Sequence, residues 1–228
     1  RRHAGMGSTA ASTSLLQYEI DTPLHELIGL RGEKTALRSY WLCRQAIYDL
    51  KKICGHLDET GLFIEKPSFQ FASYKSDVDS LQKEYTIRKQ AGFGVHWLDQ
   101  DSIRKKFGFI KPSGILSKEG AEADAYKITH CLLKKWMAKG LLVFDNTEIV
   151  SITHRRRGIE LTTKNRKKIR AKKLVIACGY ESQQYIPKKV QELQATFVIA
   201  SEPFAHDKFW YKNALIWETS TPYLYFRT

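Results

Sequence analysis

Lys172–Ser182 read KKLVIACGYES. The apolar run Leu174–Cys178 has no polar alternation, closes on Gly179, and is too short for a buried helix. Such a run predicts a central parallel strand covered on both faces. A parallel strand needs a crossover and helices to cover it, so the fold expected from this stretch is α/β. Gly179 just past the strand would let a ligand approach the backbone closely, at the carboxyl end where open α/β sheets bind theirs.

Upstream of this run lies a meander. Glu148–Thr153, Gly158–Thr163 and Lys168–Ala177 read as successive strands, with basic turns HRRRG and KNRKK between them. Asp145-Asn146 reads as the turn before them, after a short strand at Leu141–Phe144. Asp124–Lys139 is amphipathic and ends at Gly140, as a helix does. Further back, Asp99–Phe107 predicts a short helix, Val95–Leu98 a strand, Asp77–Ala91 a surface helix, and Phe69–Tyr74 a strand. The clearest helix spans Glu33–Leu57. Leu37, Tyr40, Trp41, Ile47, Leu50, Cys54 and Leu57 recur there at three-to-four spacing. Gly5–Ser14 (GMGSTAASTS) reads as a loop opening a helix, with several cap-forming hydroxyls. Gln194–Ser201, Ala214–Thr219 and the aromatic YLYFRT at the end add strands. Strands interleave with helices but also cluster, so the fold class is mixed α/β with an α+β character.

The chain has 228 residues, 37 Lys and Arg against 24 Asp and Glu, and a formal net charge of +13. That field attracts anions: nucleic acid, a membrane surface or a phosphate-bearing cofactor. Ten of the basic residues, with Glu160 as the one acid, fall between Arg155 and Lys173. No reader motif accompanies them, so nucleic acid is an unlooked-for partner. Cys43, Cys54, Cys131 and Cys178 show neither CxxC spacing nor paired His, so no metal site is expected, and free thiols suit a cytoplasmic protein. No apolar run has the length of a membrane span. No Ser/His/Asp or paired-carboxylate constellation stands out either.

Taken in order, GST at Gly7–Thr9, EADAYKITHCLLKKWMAKG at Glu122–Gly140, DNTEIV at Asp145–Val150 and KKLVIACGYES resemble the D-amino-acid oxidase, glycine oxidase and sarcosine oxidase (DAO) family of FAD enzymes. The resemblance implies part of a Rossmann-like FAD-binding domain with a β-meander, at 1–58 and 120–185. It also implies part of an antiparallel-sheet substrate domain, at 59–119 and 186–228. It implies that Gly7, Ser8 and Thr9 lie by the flavin or pyrophosphate, and that Ile149 holds the adenine edge through its backbone. Ala177, Cys178 and Gly179 would wall the phosphate-ribose region. Tyr223 and Arg227 would face the substrate, the latter as a carboxylate clamp, and His25 could approach the flavin.

The activity implied is oxidation of an amine or amino-acid C–N bond by hydride transfer to FAD, with an electron acceptor left open. The family's GxGxxG does not occur, and no covalent flavin anchor is evident. The sequence is therefore expected to be an internal piece of such an enzyme, inactive alone and weak or empty in FAD binding. Two other readings stay open: a basic nucleic-acid-binding module, and a flavoprotein-like domain used for interaction without turnover.

Overall fold

The computed structural model describes residues 3–193, 197–203 and 209–228. They form a mixed α/β structure of two compact units. The smaller comprises Arg1–Ala4 and Val143–Phe204; the larger comprises Gly5–Leu142 and Ala205–Thr228.

The larger unit begins with the one-turn helix α1 (Ser8–Ala11), then β1 (Leu15–Gln17), α2 (Leu24–Arg31) and the long α3 (Glu33–Gly55). Next come β2 (Phe63–Glu65), β3 (Ser68–Phe71), α4 (Val78–Gln90), β4 (Val95–Asp99) and α5 (Gln100–Phe107). β5 (Ser113–Ser117), β6 (Gly120–Ala123) and α6 (Ala125–Met137) follow. Helix ends match their local signals. Asp99 accepts from Ser102 N–H at 2.8 Å and caps α5, whose far end is the left-handed Gly108. Asp124 accepts from Lys127 N–H at 2.9 Å and caps α6. In both, a carboxylate satisfies a main-chain donor that the helix itself leaves unpaired.

Two sheets organise this unit. In one, β6 sits between β1 and β2, antiparallel to both. The other has five strands. The smaller unit contributes β7 (Ile149–Arg155), β8 (Gly158–Thr163) and β9 (Lys168–Ala171) to a sheet of its own, so the last two strands of the chain are β10 (Leu215–Glu218) and β11 (Tyr225–Phe226). The five-stranded order is β11-β10-β3-β5-β4, antiparallel throughout except for the parallel pair β10/β3. The expected antiparallel sheet is therefore present, with one parallel pair. β3 and β5 are buried along their whole length. One face packs on Phe107 and Phe109 from the end of α5, where the rings of Phe69 and Phe107 stack at 4.1 Å. The other face joins the core of Tyr18, Leu24, Tyr40, Leu81 and Phe93, to which α2, α3 and α4 contribute Leu24, Tyr40 and Leu81.

In the smaller unit the meander β7-β8-β9 forms as expected, with the two-residue turn Arg156-Arg157 closing its first hairpin. Its charge arrangement has a simple cause. Glu160 stands directly opposite Arg170 across the β8/β9 ladder and pairs with it at 3.2 Å, while Arg155 approaches at 3.1 Å and Lys168 at 3.6 Å. One acid thus gathers three of the ten cations of this stretch, and their hydrogen bonds hold its carboxyl below the usual range.

Several expected strands are absent. Leu174–Gly179 forms none. Val175 is 84% exposed, and Gly179–Tyr185 coils into a 3-10 segment. A parallel strand takes its stability from neighbours on both edges and layers on both faces; among the described residues no strand pairs with this run. Leu141–Phe144 is irregular, because Gly140 and Leu141 N–H groups turn back to Met137 and Trp136 carbonyls and extend the exit of α6. Of Gln194–Ser201, residues 194–196 lie outside the described residues and Phe197–Ser201 is unpaired. YLYFRT pairs with β10 only through Tyr225 and Phe226.

Candidate functional site

The residues anticipated for a cofactor fall into two groups. Gly7, Ser8 and Thr9 open α1 in the larger unit. Gly7 caps that turn with no side-chain hydrogen bond, and a Cβ built there meets nothing within 4 Å. Ile149, Ala177, Cys178 and Gly179 belong to the smaller unit. Ile149 opens β7, and Ala177, Cys178 and Gly179 are exposed. Gly179 adopts φ +61 with open space around it, a conformation that glycine reaches without steric cost. Gly7 and Gly179 thus each leave open space beside their own backbone.

Tyr223 lies on the wall of a cavity of about 330 Å³ in the larger unit. The start of α2, the first turns of α4 and the chain after β10 enclose it. Tyr223 O–H donates to Asp21 at 3.1 Å, and burial together with that carboxylate raises the phenol's pKa. Thr219 O–H donates to Asp77 at 2.6 Å and holds that carboxyl below its usual range. Trp217 lines the cavity with its indole N–H fixed to Ser68 at 3.1 Å. Asp21, Glu26, Asp77, Glu84 and Glu218 line it as well, and among the described residues no Lys or Arg does.

Arg227 is held elsewhere. Its guanidinium pairs with Glu122 at 3.1 Å, and the same carboxylate oxygen receives Lys66 Nζ at 2.6 Å. Lys66 also donates to Thr228 Oγ1 at 3.0 Å. The anionic group beside Arg227 here is therefore one of the chain's own.

Behind the cavity lies a buried charge network that the sequence did not disclose. Arg88 Nε donates to Glu84 at 2.6 Å and its terminal nitrogens reach Glu19 at 3.4 Å and Gln70 at 3.3 Å. The guanidinium also lies 5.9 Å from the rings of Tyr18 and Tyr40. Burial opposes the charge on Arg88, and Glu84 and Glu19 more than restore it, so it stays protonated. The two acids divide. Burial also works against Glu84, but Arg88 and the N–H groups of His25 and Leu24 outweigh it and hold the carboxyl below its usual range. Glu19 has the longer contact, and its Oε2 has no hydrogen-bond partner. Burial therefore prevails, only partly offset by Arg88, and its pKa is pushed up to about 7.

His25 connects this network to the cavity. Its Nδ1 lies 2.8 Å from Glu84 Oε2, and its Nε2 lies 3.1 Å from Ser80 Oγ. All three residues line the cavity. They stand 55 and 59 positions apart along the chain, which is why no spacing motif revealed them. The i,i+4 relation of Ser80 and Glu84 on α4 was the one sequence signal available.

Comparison with known proteins bears on the family and the fold. The family model described as DAO, FAD dependent oxidoreductase, matches residues 1–228. No curated protein matches. Among solved structures, glycine oxidase from Geobacillus kaustophilus superposes with a TM-score of 0.61 at 20% identity, over 80% of this chain and 48% of that one. L-alpha-glycerophosphate oxidase from Mycoplasma pneumoniae, solved with FAD bound, gives 0.56 at 13%, over 72% and 41%. L-proline dehydrogenase from P. horikoshii gives 0.57 at 12%, over 74% and 42%. The match thus spans less than half the length of each of these proteins, and at such identities the likeness is one of fold.

Proposed function

We propose, because the chain belongs to the DAO family of FAD-dependent oxidoreductases, that the whole protein oxidises a C–N bond of a small amine or amino acid. The observation that carries this is the family match along all 228 residues. The glycine oxidase and proline dehydrogenase likenesses incline the substrate toward an amine, whereas the glycerophosphate oxidase shares the fold with an alcohol-type substrate in its name. The flavin, when bound, supplies the acceptor for a hydride and carries the redox chemistry.

This chain's residues would hold and orient. Gly7, Ser8 and Thr9 would meet the cofactor's oxygen-rich portions through hydroxyls and main-chain donors. Ile149 would present its backbone to the adenine, and Ala177, Cys178 and Gly179 would leave room for the phosphate-ribose region. Tyr223 would contact the substrate. Arg227 would bind its carboxylate when one is present, with Lys66 remaining on Glu122 as the guanidinium turns to the new anion. An arginine fork matches a carboxylate in a bidentate way.

In this reading residues 1–58 and 120–185 serve the cofactor, and 59–119 and 186–228 serve the substrate. The five-stranded sheet supports that layout, since all its strands come from the second set. Four free cysteines suit a reducing compartment, and we assign the protein to the cytoplasm. Among the described residues no helix is long and apolar enough to cross a membrane.

The test is anaerobic flavin reduction in the full-length protein. Glycine, proline, N-methylated amino acids and simple amines are mixed with it, alongside glycerol phosphate. Bleaching by one or more amines, with none by glycerol phosphate, is expected. Bleaching by glycerol phosphate alone would replace the amine assignment and leave the family untouched.

A further inference from the structure

We propose that Ser80, His25 and Glu84 form a nucleophile, base and orienting acid that transfers acyl groups from small esters, a second activity independent of the flavin chemistry. The geometry is that of an activated serine. Ser80 Oγ stands 3.1 Å from His25 Nε2, and His25 Nδ1 stands 2.8 Å from Glu84 Oε2. Both distances are within the reach that nucleophile, base and orienter require, and all three residues line one cavity of about 330 Å³.

The roles follow from the surroundings. Glu84 is 1% exposed at its side chain, is ionised, and is locked by Arg88 and by the main-chain N–H groups of Leu24 and His25. An acceptor-only carboxylate at Nδ1 requires the proton on that nitrogen, and in the neutral ring Nε2 accepts from the Ser80 hydroxyl, with Glu26 Oε1 3.8 Å from the same nitrogen. The same carboxylate stabilises the imidazolium that forms when the proton moves. Ser80 itself is exposed, so an ester can reach it. It sits in the first turn of α4, which continues a 3-10 turn over Lys75–Asp77.

The reaction balances without any further reagent. The Ser80 hydroxyl proton passes to His25 Nε2 as Oγ bonds to the ester carbonyl carbon. The bond from that carbon to the alkoxy oxygen then breaks, and the proton on Nε2 leaves with the alcohol. Water repeats the sequence. Its proton goes to Nε2, its oxygen bonds to the acyl carbon, and the bond from that carbon to Ser80 Oγ breaks to release the acid as the proton on Nε2 returns to Oγ.

The remaining walls state which esters are preferred. Asp21, Glu26, Asp77 and Glu218 line the cavity together with the aromatic rings of Trp217 and Tyr223, and among the described residues no Lys or Arg does. Carboxylates and ring faces favour a positively charged alcohol portion over a neutral or anionic one.

The experiment uses the full-length protein and a fluorophosphonate, which phosphonylates activated serines, followed by peptide mass mapping. Labelling at Ser80 is expected, lost in Ser80→Ala and slowed at least tenfold in His25→Gln. Ser80 is exposed and its replacement leaves the core intact. Hydrolysis of acetylthiocholine is expected to exceed that of 4-nitrophenyl acetate relative to their spontaneous rates, and to disappear in Ser80→Ala. A wild-type protein whose Ser80 peptide stays unlabelled would overturn the proposal, as would equal labelling in His25→Gln. Neither result bears on amine oxidation, which flavin bleaching reads separately.

Discussion

At the scale of single residues, the buried network behind the cavity sets the sharpest expectations. Glu19 titrates near 7 in the folded protein against 4.5 for its ordinary value. Its folded pKa is raised, so its contribution is fully present below pH 4.5 and is lost as pH rises through 7. The loss is about 3 kcal/mol across that window. Urea unfolding at pH 5 and pH 8 should show Glu19→Gln losing about that much less than the wild type between the two; equal losses would mean Glu19 is ionised throughout. Arg88 is the counterpart. Removing it as Arg88→Met strands Glu84 and Glu19 in the core, at a cost of about 3–5 kcal/mol. Arg227 differs, being 35% exposed at its side chain, and its partner Glu122 keeps Lys66. Arg227→Ala should therefore leave the melting temperature nearly unchanged. It should lower kcat/KM on the best amino-acid substrate of the full-length protein roughly ten- to a hundredfold. Wild-type kinetics in both Arg227→Ala and Arg227→Lys would remove the clamp assignment.

At the scale of elements, close approach between strands is the constraint that sequence periodicity does not carry. Gly114 lies in β5 opposite Phe71, and a Cβ there would collide with the Phe69 ring and stand 2.8 Å from Gln70 O. The obstacle is a stacked ring and a backbone atom, neither of which can swing away. Gly114→Ala should cost at least about 1–3 kcal/mol, read as a lower urea midpoint with an unchanged slope. Elements whose signals are local were legible. The stripe of α3, the capped α5 and α6, and the hairpins of the meander each follow from spacing, a cap residue or a turn. Elements that depend on partners were not. LVIACG and YLYFRT have strand composition, yet the first forms no strand and the second pairs through two residues, because a strand exists only with its neighbour.

At the scale of the whole molecule, the family was legible from four modest motifs in order, and the match over residues 1–228 agrees with it. We expect the 228-residue chain alone to retain no stoichiometric flavin after dialysis. Its sequence has no GxGxxG, the loop that brings a pyrophosphate to a helix N-terminus in such folds. A yellow protein with one FAD per chain would refute this. The sequence by itself determined the mixed α/β class, the helices α3 to α6, the meander and the family, because propensity, caps and turns act between near neighbours and a motif order survives in one dimension. Only the tertiary structure decided the pairing of β10 with β3 across 147 positions, the partner of Arg227, and the meeting of His25 with Ser80 and Glu84. Those contacts join residues distant in the chain, and burial, which sets whether Glu19 or Glu84 keeps its charge, is a property of the packed core alone.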